Sequence, residues 1–500
     1  MRERALTMAA VCAAAVLGVT AMAPVAGAAP VAVGEKAVGE KAVGAVTATG
    51  KAPGAKSAGA QDADFNGDGY PDFATGAHTA TVGAVKRAGV VTVAYGSAEG
   101  LKLSSASIIS QATPGVPGDP VDDGKWREVG SFGDMDGDGY DDLVLNWAER
   151  FMVLWGSADG ITGAGTAIPV GKTSAAPTTL LGGTVGVGDV NGDGVDDFVT
   201  RGHDGLTYGL SVRLGPMNRT TGTSAGAWFR NTGKLDKQST SAVYVGDLTG
   251  DGVDDVTVGG GVVLGNGKPG ALVLKGTATG LVKGGTFTGL HWYDTSYPSA
   301  FGDLNKDGYQ DLVTGHADQN KVYVIYGGPN GLSDTVKHRS YSQASTGVPG
   351  IEEAGDKFGS AVAMGDTDQD GYDDVIIGAS YETASDPATT SQSGAFTVLR
   401  GSATGITTTG AVTFTQNSKS VPSTSENEDH FGAAAAVLDS DKDGSPEVYV
   451  GGNGEDGYKG RVWTFPTGPT GVTATGSTSF HLGTLGGLTS GGNFGYRIAG

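Results

Sequence analysis

One nine-residue pattern occurs seven times in this chain, and it narrows the possible folds more than any other feature. Its copies begin at Asp64 (DFNGDGYPD), Asp134 (DMDGDGYDD), Asp189 (DVNGDGVDD), Asp247 (DLTGDGVDD), Asp303 (DLNKDGYQD), Asp366 (DTDQDGYDD) and Asp439 (DSDKDGSPE). Successive starts lie 70, 55, 58, 56, 63 and 73 residues apart. Self-similarity at such a period marks units that cannot bury a core alone and must pack on their neighbours. Glycine is abundant, 88 of 500 residues, which points to many turns. It shows no triplet period, so collagen is excluded.

Each copy has the chemistry of a calcium loop. Calcium takes six to eight oxygens. Side chains at positions 1, 3 and 5 can converge on one ion, glycine at position 6 permits the sharp turn, position 7 offers its carbonyl, and position 9 adds a carboxylate. The candidate ligands are Asp64, Asn66, Asp68, Tyr70 and Asp72 in the first copy and Asp134, Asp136, Asp138, Tyr140 and Asp142 in the second. The third and fourth offer Asp189, Asn191, Asp193, Val195 and Asp197, then Asp247, Thr249, Asp251, Val253 and Asp255. The fifth has Asp303, Asn305, Asp307, Tyr309 and Asp311, and the sixth Asp366, Asp368, Asp370, Tyr372 and Asp374. The seventh has Asp439, Asp441, Asp443, Ser445 and Glu447.

An EF-hand would need a bidentate Glu at position 12, entering a helix. Position 12 is instead Thr75, Leu145, Thr200, Val258, Thr314, Ile377 and Val450, in β-rich runs, so each loop joins two strands. The ligand positions hold 24 of the chain's 54 acidic residues, and seven calcium ions would move the formal charge from −21 to −7. The acidity is thus mostly metal chemistry. No basic stripe suits nucleic acid.

A small-residue strand precedes each loop, as at 358–365 (FGSAVAMG), and an apolar strand follows it, as at 375–379 (VIIGA). A third alternating strand (322–327, VYVIYG) and a weaker fourth (411–415, AVTFT) complete a unit. Four short antiparallel strands per unit describe a propeller blade. The fold class expected is therefore all-β, a seven-bladed β-propeller with calcium loops between strands 1 and 2 of each blade.

These residues resemble the FG-GAP repeats of the integrin α-subunit propeller and of related secreted bacterial proteins. Phe358-Gly359, Phe431-Gly432 and Phe494-Gly495 match the FG part, and Gly378-Ala379 and Gly76-Ala77 the GA part, without a following proline. The resemblance spans residues 61–500. The FG dipeptide is missing from the middle repeats, where Gly186, Val243 and Ser299 lie, so those blades are expected to pack differently near the axis. The first loop lacks a complete strand before it, and the chain ends on FGYRIAG (494–500) with no loop after it. The C-terminal strand is therefore expected to complete the first blade and close the ring. A truncated eighth repeat is the alternative.

Residues 1–28 read as an export signal: Arg2 and Arg4, an apolar stretch over 6–25, and the small residues Ala26-Gly27-Ala28. The one cysteine, Cys12, lies within it, so the mature chain has no disulfide. Residues 29–60, with VGEKA twice, read as a disordered linker. No later segment is long and apolar enough to span a bilayer.

The loops fall on one rim. In integrin-like propellers the opposite face binds ligand, and the resemblance implies the same here. His78, Trp147, His203 and His316 follow second strands, and Trp126, His291, Trp292, Tyr293 and His430 precede first strands, all toward that face. An aromatic, partly polar set suits a protein or glycan ligand. Ordinary loop packing is the competing reading. No Gly-x-Ser-x-Gly, HExxH or phosphate loop appears. The expectation is a secreted, extracellular, monomeric binding or cell-adhesion module holding about seven calcium ions. A polysaccharide-active hydrolase or lyase working at the same face is the alternative.

Overall fold

The computed structural model describes residues 62–500, apart from 124–125, 148–149, 173–177, 206, 232–241, 264–268, 289–297, 334, 384–390 and 487–491. The expected export signal and linker at 1–28 and 29–60 lie outside the described residues. Seven four-stranded antiparallel sheets make a seven-bladed β-propeller. Blade 2 consists of Trp126–Gly133, Asp142–Trp147, Arg150–Leu154 and Gly165–Ala167. Blade 3 consists of Thr179–Gly188, Asp197–His203, Tyr208–Leu214 and Gly226–Asn231, and blade 4 of Val243–Gly246, Asp255–Val263, Pro269–Lys275 and Val282–Thr288. Ser299–Gly302, Asp311–His316, Lys321–Ile325 and Arg339–Tyr341 form blade 5. Phe358–Gly365, Asp374–Ala379, Ala395–Arg400 and Thr407–Phe414 form blade 6, and Phe431–Leu438, Glu447–Gly452, Arg461–Phe465 and Thr478–Phe480 form blade 7.

In these six blades the strands pair in chain order. Blade 1 differs. Its outer strands Phe73–Ala77, Val90–Ala94 and Ser107–Ile109 receive their first strand from Ile498–Ala499, which pairs antiparallel with Thr75 and Ala74. The Thr75 hydroxyl also donates to the Arg497 carbonyl.

Alternation along each strand sends apolar side chains to both faces of the sheet, so blades stack through shared cores. Val91, Val93, Leu143 and Met152 join blades 1 and 2, while Val199, Leu210, Val256 and Leu274 join blades 3 and 4. Phe73, Tyr449, Phe480 and Phe494 do the same for blades 7 and 1. Each fully buried Val, Leu or Phe contributes about 1.5–3 kcal/mol.

The FG and GA dipeptides are one device. Gly359, Gly432 and Gly495 have φ of +94°, +89° and +81°, a region that side chains rarely adopt. Each lies against the GA-type glycine of the preceding blade. A Cβ on Gly315 would meet the Gly359 carbonyl oxygen at 2.1 Å, one on Gly378 the Gly432 oxygen at 1.9 Å, and one on Gly451 the Gly495 oxygen at 2.1 Å. These interlocks hold junctions 5/6, 6/7 and 7/1. Among the repeats without FG, the first strands at Val243–Gly246 and Ser299–Gly302 have four residues and that at Thr179–Gly188 has ten, against eight at Phe358–Gly365 and Phe431–Leu438. Among the described residues no helix is long and apolar enough to cross a membrane.

Candidate functional site

Six repeat loops connect first and second strands, and the loop at 64–72 leads into the second strand of blade 1, so all seven share one end of the blades. The aspartate at position 1 caps its own loop. Asp303 Oδ1 and Oδ2 accept the Asp307 and Gly308 N–H groups at 3.1 and 2.9 Å, and Asp366 accepts those of Asp370 and Gly371 at 3.1 and 2.8 Å. Positions 3 and 5 each accept an N–H two residues on, as Asn191 does from Asp193 (2.8 Å) and Asp193 from Val195 (3.0 Å). Nested turns of this kind aim the side-chain oxygens inward. Glycine at position 6 is left-handed in every loop, from +82° at Gly252 to +91° at Gly139. Position 4 is left-handed too, and in the last three loops it is Lys306, Gln369 and Lys442 rather than glycine.

The loops fit a divalent cation. Carboxylate oxygens of Asp134, Asp136 and Asp142 lie within 4.8 Å of one another, as do those of Asp366, Asp368 and Asp370 and of Asp439, Asp441 and Asp443. Oxygens 2.3–2.6 Å from one calcium have such separations. Asp64 Oδ1 and Asp368 Oδ1 are buried with no hydrogen-bond partner. Burial pushes the position-9 carboxyls up, to about 9 at Asp142, about 8 at Asp72, Asp197 and Asp311, and about 7 at Asp255 and Glu447. A bound cation would restore the ionised form.

Position 9 also braces the blade. Asp72 accepts the N–H of Phe65 at 2.8 Å and that of Gly96, beyond the third strand, at 2.9 Å. Asp142 and Asp311 likewise accept Gly156 (2.9 Å) and Gly327 (2.8 Å). The glycine has no room for a side chain: a Cβ on Gly327 would lie 2.1 Å from the Gln310 oxygen and 2.9 Å from Leu248 O of the preceding blade.

Two loops carry an arginine among their carboxylates. Arg219 pairs with Asp136 and Asp138 in the second loop. Arg400 pairs with Asp368 at 2.6 Å and Asp374 at 3.1 Å in the sixth. Both loops have Asp at position 3, where others have Asn66, Asn191, Thr249 or Asn305. The guanidinium offsets that extra charge. The seventh loop also has Asp441 there, with Lys442 beside it.

Position 8, which the sequence reading passed over, ties neighbouring loops together. Its N–H donates to the position-1 carbonyl of the preceding blade: Asp141 to Asp64 (3.1 Å), Asp196 to Asp134 (2.9 Å), Asp254 to Asp189 (2.9 Å), Gln310 to Asp247 (3.3 Å) and Asp373 to Asp303 (3.2 Å). The side chain returns the contact, since Asp141, Asp196 and Asp373 Oδ2 accept the N–H of Asp64, Asp134 and Asp303 at 2.9, 2.8 and 2.7 Å. At three of these junctions the carboxylate lies over a glycine. A Cβ on Gly133, Gly188 or Gly302 would lie 2.3–2.4 Å from the Oδ2 of Asp196, Asp254 or Asp373. In the first and seventh loops position 8 is Pro71 and Pro446, which have no N–H.

The opposite end of the blades holds the other expected site residues, and the structure sorts them. His291, Trp292 and Tyr293 lie outside the described residues. Trp126 and His316 are corrected: at 1% and 0% exposure they are core residues with no surface for a ligand. Trp126 belongs to the same core as Val129 and Leu145, and His316 lies edge-on to Tyr323 with its pKa lowered to about 3 by burial. His78 is half-buried beside Tyr496, Trp147 half-buried against the core of blades 1 and 2, and His203 half-buried at the end of its strand. His430 is held in a cluster that the sequence reading missed. Its ring stacks on Tyr381 (4.9 Å, 24°) and meets Tyr458 edge-on at 6.2 Å. The two tyrosines are 37% and 43% exposed, and the Lys357 ammonium lies 5.8 Å from the Tyr381 ring centroid. The signal available was a tyrosine just past the second strand in blade 6, Tyr381, and another in the same connection of blade 7, Tyr458. Among the described residues, the exposed aromatic side chains at this end form a local patch on blades 6 and 7.

Comparison with known proteins identifies three segments, 57–93, 299–325 and 358–399, as FG-GAP repeats. The chain is 26% identical to integrin alpha-5 of Xenopus laevis over 219 residues, 40% of this chain and 20% of that protein. It is 31% identical to integrin alpha pat-2 of Caenorhabditis briggsae over 255 residues, 47% and 19% respectively. A phosphatidylinositol-glycan-specific phospholipase D of Bos taurus is 37% identical over 101 residues, 19% of this chain and 11% of that one. The chain therefore spans about a fifth of the length of the integrin relatives it matches. Among solved structures, an Agrocybe aegerita lectin that recognises non-reducing terminal N-acetylglucosamine overlays with a TM-score of 0.35 and 16% identity, covering 72% of this chain and 80% of that one. The exotype rhamnogalacturonan lyase YesX overlays at 0.27 and 13% identity, covering 77% and 81%. Overlays this loose carry no argument about ligand or chemistry.

Proposed function

We propose that this chain, which is an integrin-like β-propeller built of FG-GAP repeats, works as a secreted binding or adhesion module for an extracellular protein or glycan, loaded with calcium. Integrin-like propellers generally bind divalent cations, and the acidic groups described above suit one. The observation that carries the reading is the difference between the two ends of the blades. One end holds buried, convergent carboxylates committed to the loops. The other presents the exposed Tyr381–His430–Tyr458 patch, whose flat, amphipathic rings are the side chains most used in recognition. An export signal at 1–28 would deliver the chain to surroundings where calcium is abundant, and a mature chain without cysteine would depend on the ions where disulfides are absent.

Two measurements test this. Each loop loaded at a hundredfold over its Kd stabilises the fold by about 2.7 kcal/mol. Adding a chelator therefore lowers the melting temperature and speeds proteolysis, and calcium restores both. A chelated protein with unchanged melting and proteolysis would end the calcium reading. For the ligand, capture from extracellular and wall fractions is compared between the wild-type protein and Tyr381→Ala, with and without calcium. Equal capture by both proteins removes the patch from the site. Release of reducing ends or unsaturated sugars from a polysaccharide panel would instead favour the hydrolase or lyase alternative.

A further inference from the structure

We propose a cation site outside the repeat loops, at the opposite end of blade 6. Glu353 and Asp356 precede its first strand, and Glu382 follows its second. Their carboxylate oxygens lie within 4.8 Å of one another. Asp356 is buried, Glu382 half-buried and Glu353 exposed, so the cluster opens to solvent on one side. Among the described residues no basic side chain pairs with the three acids, and the ammonium of the adjacent Lys357 is turned over the Tyr381 ring. A second observation points to a ligand. The Gln343 side chain, 95% buried, donates its Nε2 to Glu382, and its Oε1 is buried with no partner. Held beside the three carboxylates, the amide would offer its unpartnered oxygen as a fourth hard donor.

Blade 7 repeats the arrangement with one difference. Gln416 donates to Glu455 at 2.6 Å, and the Glu426 N–H donates to Asp429 at 2.6 Å, as the Glu353 N–H does to Asp356 at 2.6 Å. There Arg461 supplies the positive charge, 3.4 Å from Glu455. Arg461 pairs with Gly452 at the start of the third strand, and Ala395 holds that place in blade 6, opposite Ala379. Blade 6 thus keeps the acids and lacks the arginine. A divalent ion of the calcium class, with water filling its remaining positions, supplies the missing charge. The Tyr381 N–H donates to the Asp356 carbonyl at 2.9 Å, so the ion braces the segment that carries the exposed tyrosine.

The test counts calcium bound to the full chain by native mass spectrometry, with circular dichroism to confirm folding. Glu382→Gln and Asp356→Asn should each hold one ion fewer than the wild type. Asp370→Asn, in the sixth loop, should also lose one, and Glu382→Gln combined with it should lose two. Folded Glu382→Gln and Asp356→Asn proteins with the wild-type count overturn the site while leaving the loops untouched. Should those variants not fold, Gln343→Leu removes only the amide: loss of one ion or a tenfold weaker single site supports the proposal, and unchanged binding overturns it.

Discussion

Five junctions between blades are clasped by a position-8 residue, and two are not. The clasped ones run from 1/2 to 5/6, through Asp141, Asp196, Asp254, Gln310 and Asp373. The unclasped ones flank blade 7, where Pro446 and Pro71 stand. On the far side the pattern reverses: the FG interlocks hold 5/6, 6/7 and 7/1. Only 5/6 has both. Each neighbouring pair is therefore fastened at one end at least, by hydrogen bonds between loops or by backbone meeting backbone at glycine. Junction 6/7 adds Gln369, whose amide donates to Gly444 O at 2.9 Å and Ser445 Oγ at 2.6 Å.

The largest effect expected is at 7/1, which relies on the interlock and on Phe494, fully buried in the shared core. A chain ending at residue 492 loses both along with the first strand of blade 1, and is expected to show no cooperative thermal transition by circular dichroism. A sharp melt would mean that the junction is held by other contacts. Next comes Gly432→Ala. Its Cβ would lie 2.2 Å from Ala395 O at a left-handed φ, at a junction with no clasp, so a cost of about 3 kcal/mol or more is expected from urea unfolding. Gly359→Ala strains the doubly fastened junction and should lower the unfolding midpoint less. Equal losses would break the comparison.

Acid should act on blade 5. His316 is buried neutral, with its folded pKa lowered to about 3 against an ordinary value of 6.5. Between those values the unfolded chain binds the extra proton, so stability is held above pH 6.5 and falls as the pH drops toward 3, by roughly 3 kcal/mol at pH 4. His316→Gln should flatten that part of the acid melting profile, and an unchanged slope would assign it elsewhere. The smallest effects concern the clasps themselves. Asp196→Ala leaves the Asp134 N–H without its acceptor, for about 1–2 kcal/mol. Pro446→Asp should gain about 1 kcal/mol, because Gly365 stands in the preceding blade at the place that Gly133, Gly188 and Gly302 hold beneath other clasps. Pro71→Asp should gain nothing, because Leu438 fills that place.

Much of this was legible in the sequence. The spacing of Asp, Asn and Gly in the loops reports backbone turns and oxygen donors that act within nine residues, and the absence of Glu at position 12 set the loops between strands. The pairing of Ile498–Ala499 with blade 1 was readable because FGYRIAG matches the strand that the first loop lacks. Position 8 was not readable: Asp141 and Asp142 are chemically alike, and only the neighbouring blade tells a clasp from a ligand. Trp126 and His316 were misplaced for a related reason. They lie at strand ends, where sequence position does not say whether the next blade covers them. The Glu353, Asp356, Glu382 and Gln343 cluster draws on two separate connections, 342–357 and 380–394, that only the sheet brings together.

The late arrival of the innermost strand has a kinetic consequence. Thr75 and Arg497 are bonded across 422 residues, so a chain emerging from a ribosome carries its first blade with a bare edge until residues 497–499 have been made. Closing so long a loop is slow, and an unpaired edge invites pairing with other chains meanwhile.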